Sequence, residues 1–118
     1  MDWPGPLEAA REIEIETRRD DGAPAHRTTI GAVVDGDDVL VRYYRGAKSR
    51  WYREVSVHPE ATIEVDGESV PVRAVAATDP ESVQRASDGY RRKYADSGVV
   101  DSMLLDEVLS TTLRLEPR

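Results

Sequence analysis

Cysteine is absent from the sequence, which excludes disulfide bonds, thiolate catalysis and cysteine-based metal sites. The sequence also lacks any apolar run long enough to span a membrane, and its first residues have neither the basic nor the apolar segment of a signal peptide. These absences predict a cytoplasmic protein with no membrane partner.

Positive charge is scarce as well, because 16 Lys and Arg residues stand against 23 Asp and Glu residues and the formal net charge is −7. Non-specific affinity for nucleic acid needs basic side chains across a broad face, so we expect no nucleic-acid partner. At 118 residues the chain is expected to form one domain over residues 1–118, with residues 1–11 as an N-terminal arm.

Six segments carry the pattern of a β-strand. The clearest is the first, in which apolar and charged residues alternate with the period of a half-buried strand. Asp35-Gly36 and Asp66-Gly67 each separate two such segments and predict hairpins, the first with a type I′ turn. Pro71 predicts that one edge of the fifth strand is not fully paired at its position. The predicted strands cover residues 12–17, 28–34, 38–44, 61–65, 68–78 and 111–115.

One long helix is predicted after the fifth strand. Asp79-Pro80-Glu81 supplies an N-cap, a proline at the first helical position and an acid in the first turn. Gly98 is the expected C-terminal stop. The residues expected to share the buried face are Val83, Ala86, Tyr90 and Tyr94.

Two short helices complete the predicted elements. One begins with Ser49 as its N-cap and ends at His58-Pro59, because the residue before a proline is pushed out of the helical conformation. The other covers residues 101–109, and residues 7–11 of the arm are a candidate for a further short helix. Strands joined by tight turns favour an antiparallel sheet that curls into a small barrel with helices against it.

Residues 42–53 concentrate the scarce positive charge. They read Arg-Tyr-Tyr-Arg-Gly-Ala-Lys-Ser-Arg-Trp-Tyr-Arg, with five basic residues, no acid and four of the seven aromatic residues. A turn followed by a helix start would let Arg45, Lys48, Ser49 and Arg50 converge on one phosphate. The alternative is that these charges are solvated on a loop and a helix face.

Other polar groups favour structural roles. Glu12, Glu14 and Glu16 share one strand face and are interpreted as a solvated surface. His26 and His58 lie far apart without paired ligand spacing, so no metal site is expected. No serine, histidine and aspartate arrangement supports hydrolysis.

Two pairs of tyrosines are candidate ligand contacts. Tyr43 and Tyr44 are neighbours on a strand and must face opposite sides, so only one of them can reach a ligand. Tyr90 and Tyr94 form a helical stripe, which is interpreted first as core or dimer contact and second as the wall of a cofactor site.

The order of these elements resembles that of the flavin-binding split-barrel superfamily, which includes pyridoxamine-phosphate oxidases and deazaflavin-dependent nitroreductases. The most specific part is the Trp51-Tyr52 helix followed by His58-Pro59-Glu60-Ala61, where the deazaflavin proteins have asparagine in place of this histidine. The nearer similarity is to a family of small uncharacterised split-barrel proteins. The resemblance implies a mainly β (α+β) fold, an antiparallel six-stranded split β-barrel with one long and two short helices.

The resemblance also implies a function and a site. It implies a homodimer that binds FMN or a deazaflavin at the dimer interface and acts as an oxidoreductase, with hydride transfer to a small-molecule substrate. The implied cofactor-binding residues are Arg45, Lys48, Ser49 and Arg50 for the phosphate, Thr28 and Thr29 for the phosphate or ring edge, and Trp51 beside the ring or in the barrel's mouth. The alternative is a non-catalytic split-barrel module that binds a phosphorylated ligand or a protein partner.

Overall fold

The computed structural model describes residues 3–18, 26–43, 45–96, 98 and 100–118. Within these residues the chain forms seven β-strands, which are β1 (Ile13–Thr17), β2 (His26–Ile30), β3 (Ala32–Asp35), β4 (Asp38–Val41), β5 (Glu60–Val65), β6 (Glu68–Ala76) and β7 (Leu113–Pro117). The α-helices are α1 (Gly5–Ala9), α2 (Arg50–Val57), α3 (Pro80–Lys93), α4 (Val100–Met103) and α5 (Asp106–Leu109). No helix in this described part is long and apolar enough to cross a membrane.

All seven strands belong to one antiparallel sheet with the order β2-β1-β5-β6-β7-β4-β3. The two outer strands, β2 and β3, are consecutive in the chain and are separated only by Gly31. The sheet must therefore curl until its two edges meet at this residue. This curled antiparallel sheet with helices confirms the predicted α+β split barrel.

The prediction of six strands was wrong, because the segment 28–34 is divided at Gly31. Before the break Ile30 pairs with Ile13 of β1, and after it Ala32 pairs with Val41 of β4. Tyr94, at the C-terminal end of α3, lies against the break, so closely that a Cβ on Gly31 would be 2.9 Å from its hydroxyl oxygen. The change of partner strand and the close approach of Tyr94 both depend on residues that are distant from Gly31 in the sequence.

Both predicted hairpins form, but they differ in their turns. Asp66 and Gly67 have φ of 51° and 78°, and positive φ at both positions is the mark of the type I′ turn. In the first hairpin Asp35 pairs with Asp38, so the two-residue loop is Gly36-Asp37. Of these two loop residues only Gly36 has a positive φ, which is the pattern of a type II′ turn. The prediction of a type I′ turn was therefore wrong.

The barrel interior is filled by alternating strand residues and by one side of two helices. Ile13, Ile15 and Thr17 of β1 are buried, as the period-two pattern predicted. Leu7 of α1 and Trp51 of α2 enter the same core and are at most 2% exposed. Burying each large apolar side chain contributes about 1.5–3 kcal/mol, so these two helices stabilise the barrel as well as closing it.

Helix α3 packs outside the barrel against β3 and β4. It begins at Asp79, whose side chain accepts a hydrogen bond from the Ser82 backbone N–H at 3.0 Å, as expected of an N-cap. Gly89 lies so close to Val33 that a Cβ would be 2.9 Å from its Cβ. Of the predicted buried face, Ala86, Tyr90 and Tyr94 are buried and Val83 is half-buried.

The predicted ends of the last elements were less accurate. Helix α3 stops at Lys93, so Gly98 does not terminate it. The predicted helix 101–109 is two short helices, α4 and α5, and the described residues hold five α-helices rather than one long and two short ones. The last strand begins at Leu113, because Thr111 and Thr112 form a buried turn, each donating its hydroxyl to a backbone carbonyl three residues earlier.

Candidate functional site

The basic segment 42–53 leaves the barrel at the end of β4 and returns as α2. Strand β4 ends at Val41, earlier than the predicted limit at residue 44, which lies outside the described residues. A 3₁₀ turn, Gly46–Lys48, follows, with φ of +54° at Gly46 and a hydrogen bond from its backbone N–H to the Tyr43 carbonyl oxygen at 2.8 Å. This turn sets the direction in which α2 begins.

Ser49 occupies the N-cap position of α2, as predicted, but its hydroxyl does not cap the helix. It donates to the Gly46 carbonyl oxygen at 2.8 Å and so closes the preceding turn. The first N–H groups of α2 therefore have no side-chain cap, and they lie at the positive end of the helix dipole. Such a helix start can bind an anion.

A cavity of about 280 Å³ opens at this helix start, and we call it the basic cleft. Its described lining contains four cationic side chains and no carboxylate. Six of the seven predicted cofactor-binding residues line it, and only Thr29 does not. The lining residues are Thr28, Tyr43, Arg45, Lys48, Ser49, Arg50, Trp51 and Arg53.

The four cations of the basic cleft all belong to one short segment, residues 45–53. Arg45 and Lys48 flank the 3₁₀ turn, and Arg50 and Arg53 lie one turn apart on α2. All four side chains are exposed, so they keep their hydration until a ligand arrives. These four cations can surround an anion that itself has several oxygen atoms, such as a phosphate.

Arg42, the fifth basic residue of the segment, does not take part in the basic cleft. Its side chain is fully buried and donates to the hydroxyls of Thr112 at 2.7 Å and Ser87 at 2.9 Å, and to the Val83 carbonyl at 2.8 Å. Burial lowers the pKa of Arg42 from its ordinary value, because desolvation disfavours the charged form. The alternative interpretation, that the charges of this segment are solvated on a loop and a helix face, is therefore wrong for Arg42.

Trp51 forms the floor of the basic cleft and belongs to the barrel core. Its ring makes edge contacts with Tyr43 and Tyr52, at centroid distances of 6.1 and 6.5 Å. Its indole Nε1 is buried and has no hydrogen-bond partner among the described residues. Both predicted positions of Trp51, beside a ligand ring or in the barrel's mouth, stay predictions.

Helix α2 is anchored to the barrel by a polar contact beneath the cleft. The Thr17 hydroxyl donates to Glu54 Oε1 at 2.6 Å, and His26 Nδ1 lies 3.2 Å from Glu54 Oε2. At the other end of α2, the His58 backbone N–H donates to the Glu54 carbonyl at 2.8 Å, and the helix ends there as predicted. Neither histidine lines the basic cleft.

Two of the three glutamates predicted to form a solvated face, Glu14 and Glu16, are joined by a cation. Arg27 of β2 lies 3.1 Å from Glu14, 3.2 Å from Glu16 and 3.2 Å from Glu64. These contacts raise the pKa of Arg27 and relieve the repulsion between the carboxylates. Within the described residues, no group of three or more histidine, aspartate or glutamate side chains is arranged to hold a metal ion.

A second cavity, of about 370 Å³, lies beside the basic cleft, and we call it the aromatic cavity. Tyr43 lines both cavities, whereas the neighbours Thr28 and Thr29 each line a different one. The lining residues are Arg11, Glu12, Thr29, Ile30, Gly31, Tyr43, Tyr90, Tyr94, Val100 and Met103. The sequence did not predict this cavity as a unit, although Thr29, Tyr43 and the stripe of Tyr90 and Tyr94 were each named as candidate ligand contacts.

The fold is similar to those of several solved structures. HutZ, a heme storage protein from Vibrio cholerae, matches with a TM-score of 0.73 and 13% identity over 95% of this chain and 84% of that chain. An F420-H2 dependent reductase, FDR-A, matches with a TM-score of 0.68 and 10% identity over 90% of this chain and 93% of that chain.

A candidate pyridoxamine 5′-phosphate oxidase from Listeria innocua has a TM-score of 0.63 and 13% identity, over 95% of this chain and 86% of that chain. At these identities the similarities establish the fold. The resemblance to the flavin-binding split-barrel superfamily is thus confirmed at the level of the fold.

Comparison at the level of sequence identifies the family. None of the curated proteins matches the sequence significantly. A family model described as an uncharacterized protein conserved in bacteria (DUF2255) matches residues 6–115. This match covers nearly the whole chain, so the protein belongs to the DUF2255 family.

Proposed function

We propose that this protein binds the phosphate of FMN or of a deazaflavin in the basic cleft and acts, as a homodimer, as an oxidoreductase on a small molecule. The observation that carries the proposal is the concentration of four cationic side chains, with no carboxylate in the described lining, in a chain of net charge −7. A charge-assisted hydrogen bond contributes about 1.5–3 kcal/mol, so two or three of them can hold a phosphate against the entropy of binding.

The residues of the basic cleft fit a phosphate group in chemistry as well as in charge. Arg45, Lys48 and Arg50 offer side-chain donors, and the uncapped start of α2 offers backbone N–H groups. The Ser49 hydroxyl proton is held by the Gly46 carbonyl, so Ser49 contributes through its backbone and through the turn it closes. A bound flavin supplies the hydride chemistry, while the protein supplies binding and orientation.

The relatives support a redox cofactor of this class. They include an F420-H2 dependent reductase and a candidate pyridoxamine 5′-phosphate oxidase, together with the heme storage protein HutZ. No histidine that could bind a heme iron is found in the described lining of either cavity, and the four cations of the basic cleft suit a phosphate. We therefore propose a flavin or deazaflavin rather than heme.

The first test is a visible absorption spectrum of the purified protein, followed by titration with FMN, an oxidised deazaflavin and hemin in parallel. We expect one of the two flavin-type ligands to bind and to raise the melting temperature. Riboflavin is the matched control, because it shares the ring of FMN and lacks the phosphate. Equal affinity for riboflavin and FMN, or binding of hemin alone, would reject the phosphate site.

Catalysis and assembly need separate measurements. We expect cofactor-dependent oxidation or reduction of a small molecule when reduced cofactor is supplied, and light scattering should give the mass of a dimer. Ligand-dependent stabilisation without turnover would favour the alternative, a non-catalytic module that binds a phosphorylated ligand. A protein that binds none of the ligands would be interpreted as acting through a protein partner.

A further inference from the structure

The aromatic cavity is a second concave space, which the proposed phosphate site does not use. It lies where α3 and α4 cross the break between β2 and β3, and its volume is about 370 Å³. Pockets for small molecules usually have volumes of about 300–1,000 Å³ and mostly apolar walls. Six side chains here are aromatic or aliphatic, namely Ile30, Tyr43, Tyr90, Tyr94, Val100 and Met103.

The hydroxyl groups of two wall tyrosines are already engaged. Tyr90 accepts a hydrogen bond from the Arg42 backbone N–H at 2.8 Å and donates to the Gly31 carbonyl at 2.7 Å. Tyr94 donates to the Arg11 carbonyl at 2.7 Å. Burial raises the pKa of both phenols, so both keep the protons that make these bonds. The two side chains are therefore held in place before any ligand arrives, and they offer ring surface rather than free hydroxyls.

The charged groups of the aromatic cavity do not favour an anion. The Arg11 guanidinium donates to Asp96 Oδ1 at 2.9 Å and to the Lys93 carbonyl at 2.8 Å, and it lies 4.9 Å from the Tyr94 ring centroid. The other charged group of the described lining is the Glu12 carboxylate. This lining therefore holds one cation and one carboxylate, whereas that of the basic cleft holds four cations and no carboxylate.

We propose that the aromatic cavity binds an uncharged, planar aromatic molecule. Apolar and aromatic walls held in place by their own hydrogen bonds bind such a molecule with little loss of side-chain freedom. Because Tyr43 lines both cavities, the molecule would lie beside the ligand of the basic cleft. The inference adds a substrate class to the proposed function, but the binding it predicts does not require that function.

The test uses the full chain without any cofactor and two probes of one shape. Calorimetric titration should detect 2-naphthamide, which is neutral, and should give an affinity at least about tenfold weaker for 2-naphthoate, which carries a charge that the site does not pair. Naphthoate that binds as tightly as naphthamide would overturn the assignment of an uncharged ligand. Absence of naphthamide binding would overturn the site itself.

Two adjacent residues supply a matched pair of variants. Thr29→Trp fills the aromatic cavity, whereas Thr28→Trp fills the basic cleft. We expect Thr29→Trp to weaken naphthamide binding at least about tenfold and Thr28→Trp, which lies outside the aromatic cavity, to leave naphthamide binding unchanged. Naphthamide affinity that survives in Thr29→Trp places the molecule elsewhere and overturns the proposal. A variant that loses FMN binding but keeps naphthamide binding would bear on the proposed function and not on this inference.

A measurement on the unmodified protein tests the same proposal without depending on whether a variant folds. The sequence has two methionines, Met1 and Met103, and Met103 lines the aromatic cavity. In a sample labelled at the methionine methyl carbons, naphthamide should shift the Met103 resonance through the ring current of the bound probe. An unmoved Met103 resonance at saturating probe would overturn the proposal.

Discussion

Arg42 Nε donates a hydrogen bond to the Thr112 hydroxyl over 2.7 Å, and this contact joins the end of β4 to the turn before β7. The same guanidinium reaches α3 through Ser87 and the Val83 carbonyl. A buried arginine needs its donors satisfied, and here neutral oxygen atoms satisfy them. Arg42 thus connects the end of β4, the helix α3 and the turn before β7.

The first prediction concerns the stability that Arg42 provides. Arg42→Met removes the donors and leaves the acceptors on Thr112, Ser87 and Val83 without this partner. Because each unsatisfied buried polar group destabilises by about 1–3 kcal/mol, we expect the free energy of unfolding to fall by about 2–4 kcal/mol in urea denaturation. Arg45→Ala, an exposed change in the same segment, should stay within about 0.5 kcal/mol. Equal stability of Arg42→Met and the unmodified protein would mean that the desolvation of the guanidinium offsets its hydrogen bonds.

A second prediction separates binding from stability. Arg45→Ala and Lys48→Ala each remove one cation from the basic cleft, and both side chains are exposed. We expect each variant to bind FMN or the deazaflavin about tenfold more weakly, because one charge-assisted hydrogen bond is lost. The midpoint of unfolding should hardly change. Affinity is measured at two salt concentrations, either from the quenching of the cofactor's fluorescence or from the change in its absorbance.

The control for these variants is Arg92→Ala. Arg92 is an exposed arginine of α3 that lines neither described cavity, so its loss changes the net charge equally without touching the site. Unchanged affinity in both Arg45→Ala and Lys48→Ala, or the same loss in Arg92→Ala, would move the phosphate site away from the basic cleft.

The basic cleft could be predicted because its residues are close in sequence. Arg45, Lys48 and Arg50 lie within six positions, and one turn followed by one helix start is enough to bring them together. The Asp79 cap and the period-two strands were recognisable for the same reason, since each depends on neighbouring residues. Local patterns therefore gave most of the elements and the candidate anion site.

The features that could not be predicted depend on distant contacts. The strand break at Gly31 is set by partner strands and by Tyr94, and the burial of Arg42 depends on α3 and on Thr112. The aromatic cavity is built from residues between Arg11 and Met103, which only the folded barrel brings together. No local pattern in those segments distinguishes a cavity wall from ordinary core.

A third prediction tests the packing of α3 on the barrel. Gly89→Ala would place a Cβ 2.9 Å from Cβ and Cγ2 of Val33, which is closer than real contacts allow. Because Val33 is buried and branched, the helix must move, and we expect a loss of about 1–3 kcal/mol in thermal or urea unfolding. Gly98→Ala is the matched control, since nothing lies within 4 Å of its Cβ position, and it should be neutral or slightly stabilising. Equal effects of the two variants would contradict the close packing at Val33.

The last prediction is a pH dependence at the start of α3. The Asp79 carboxylate accepts a hydrogen bond from the Ser82 backbone N–H at 3.0 Å, and the hydrogen bonds from Ser82 hold the pKa of Asp79 below its ordinary value. A carboxyl group whose pKa is lower in the folded state stabilises the fold above its unfolded pKa of about 3.9, and this stabilisation disappears as the pH falls through the folded pKa.

Asp79→Asn keeps an acceptor at the N-cap but cannot titrate. The melting temperature of the unmodified protein should therefore exceed that of Asp79→Asn at pH 7, and the difference should shrink as the pH is lowered towards about 3. Asp37→Asn, in the exposed loop between β3 and β4, corrects for the removal of one negative charge. A difference between Asp79→Asn and the unmodified protein that stays constant from pH 7 to about pH 3 would mean that the cap works without its charge, because the carboxylate's stabilisation must be lost once it is protonated.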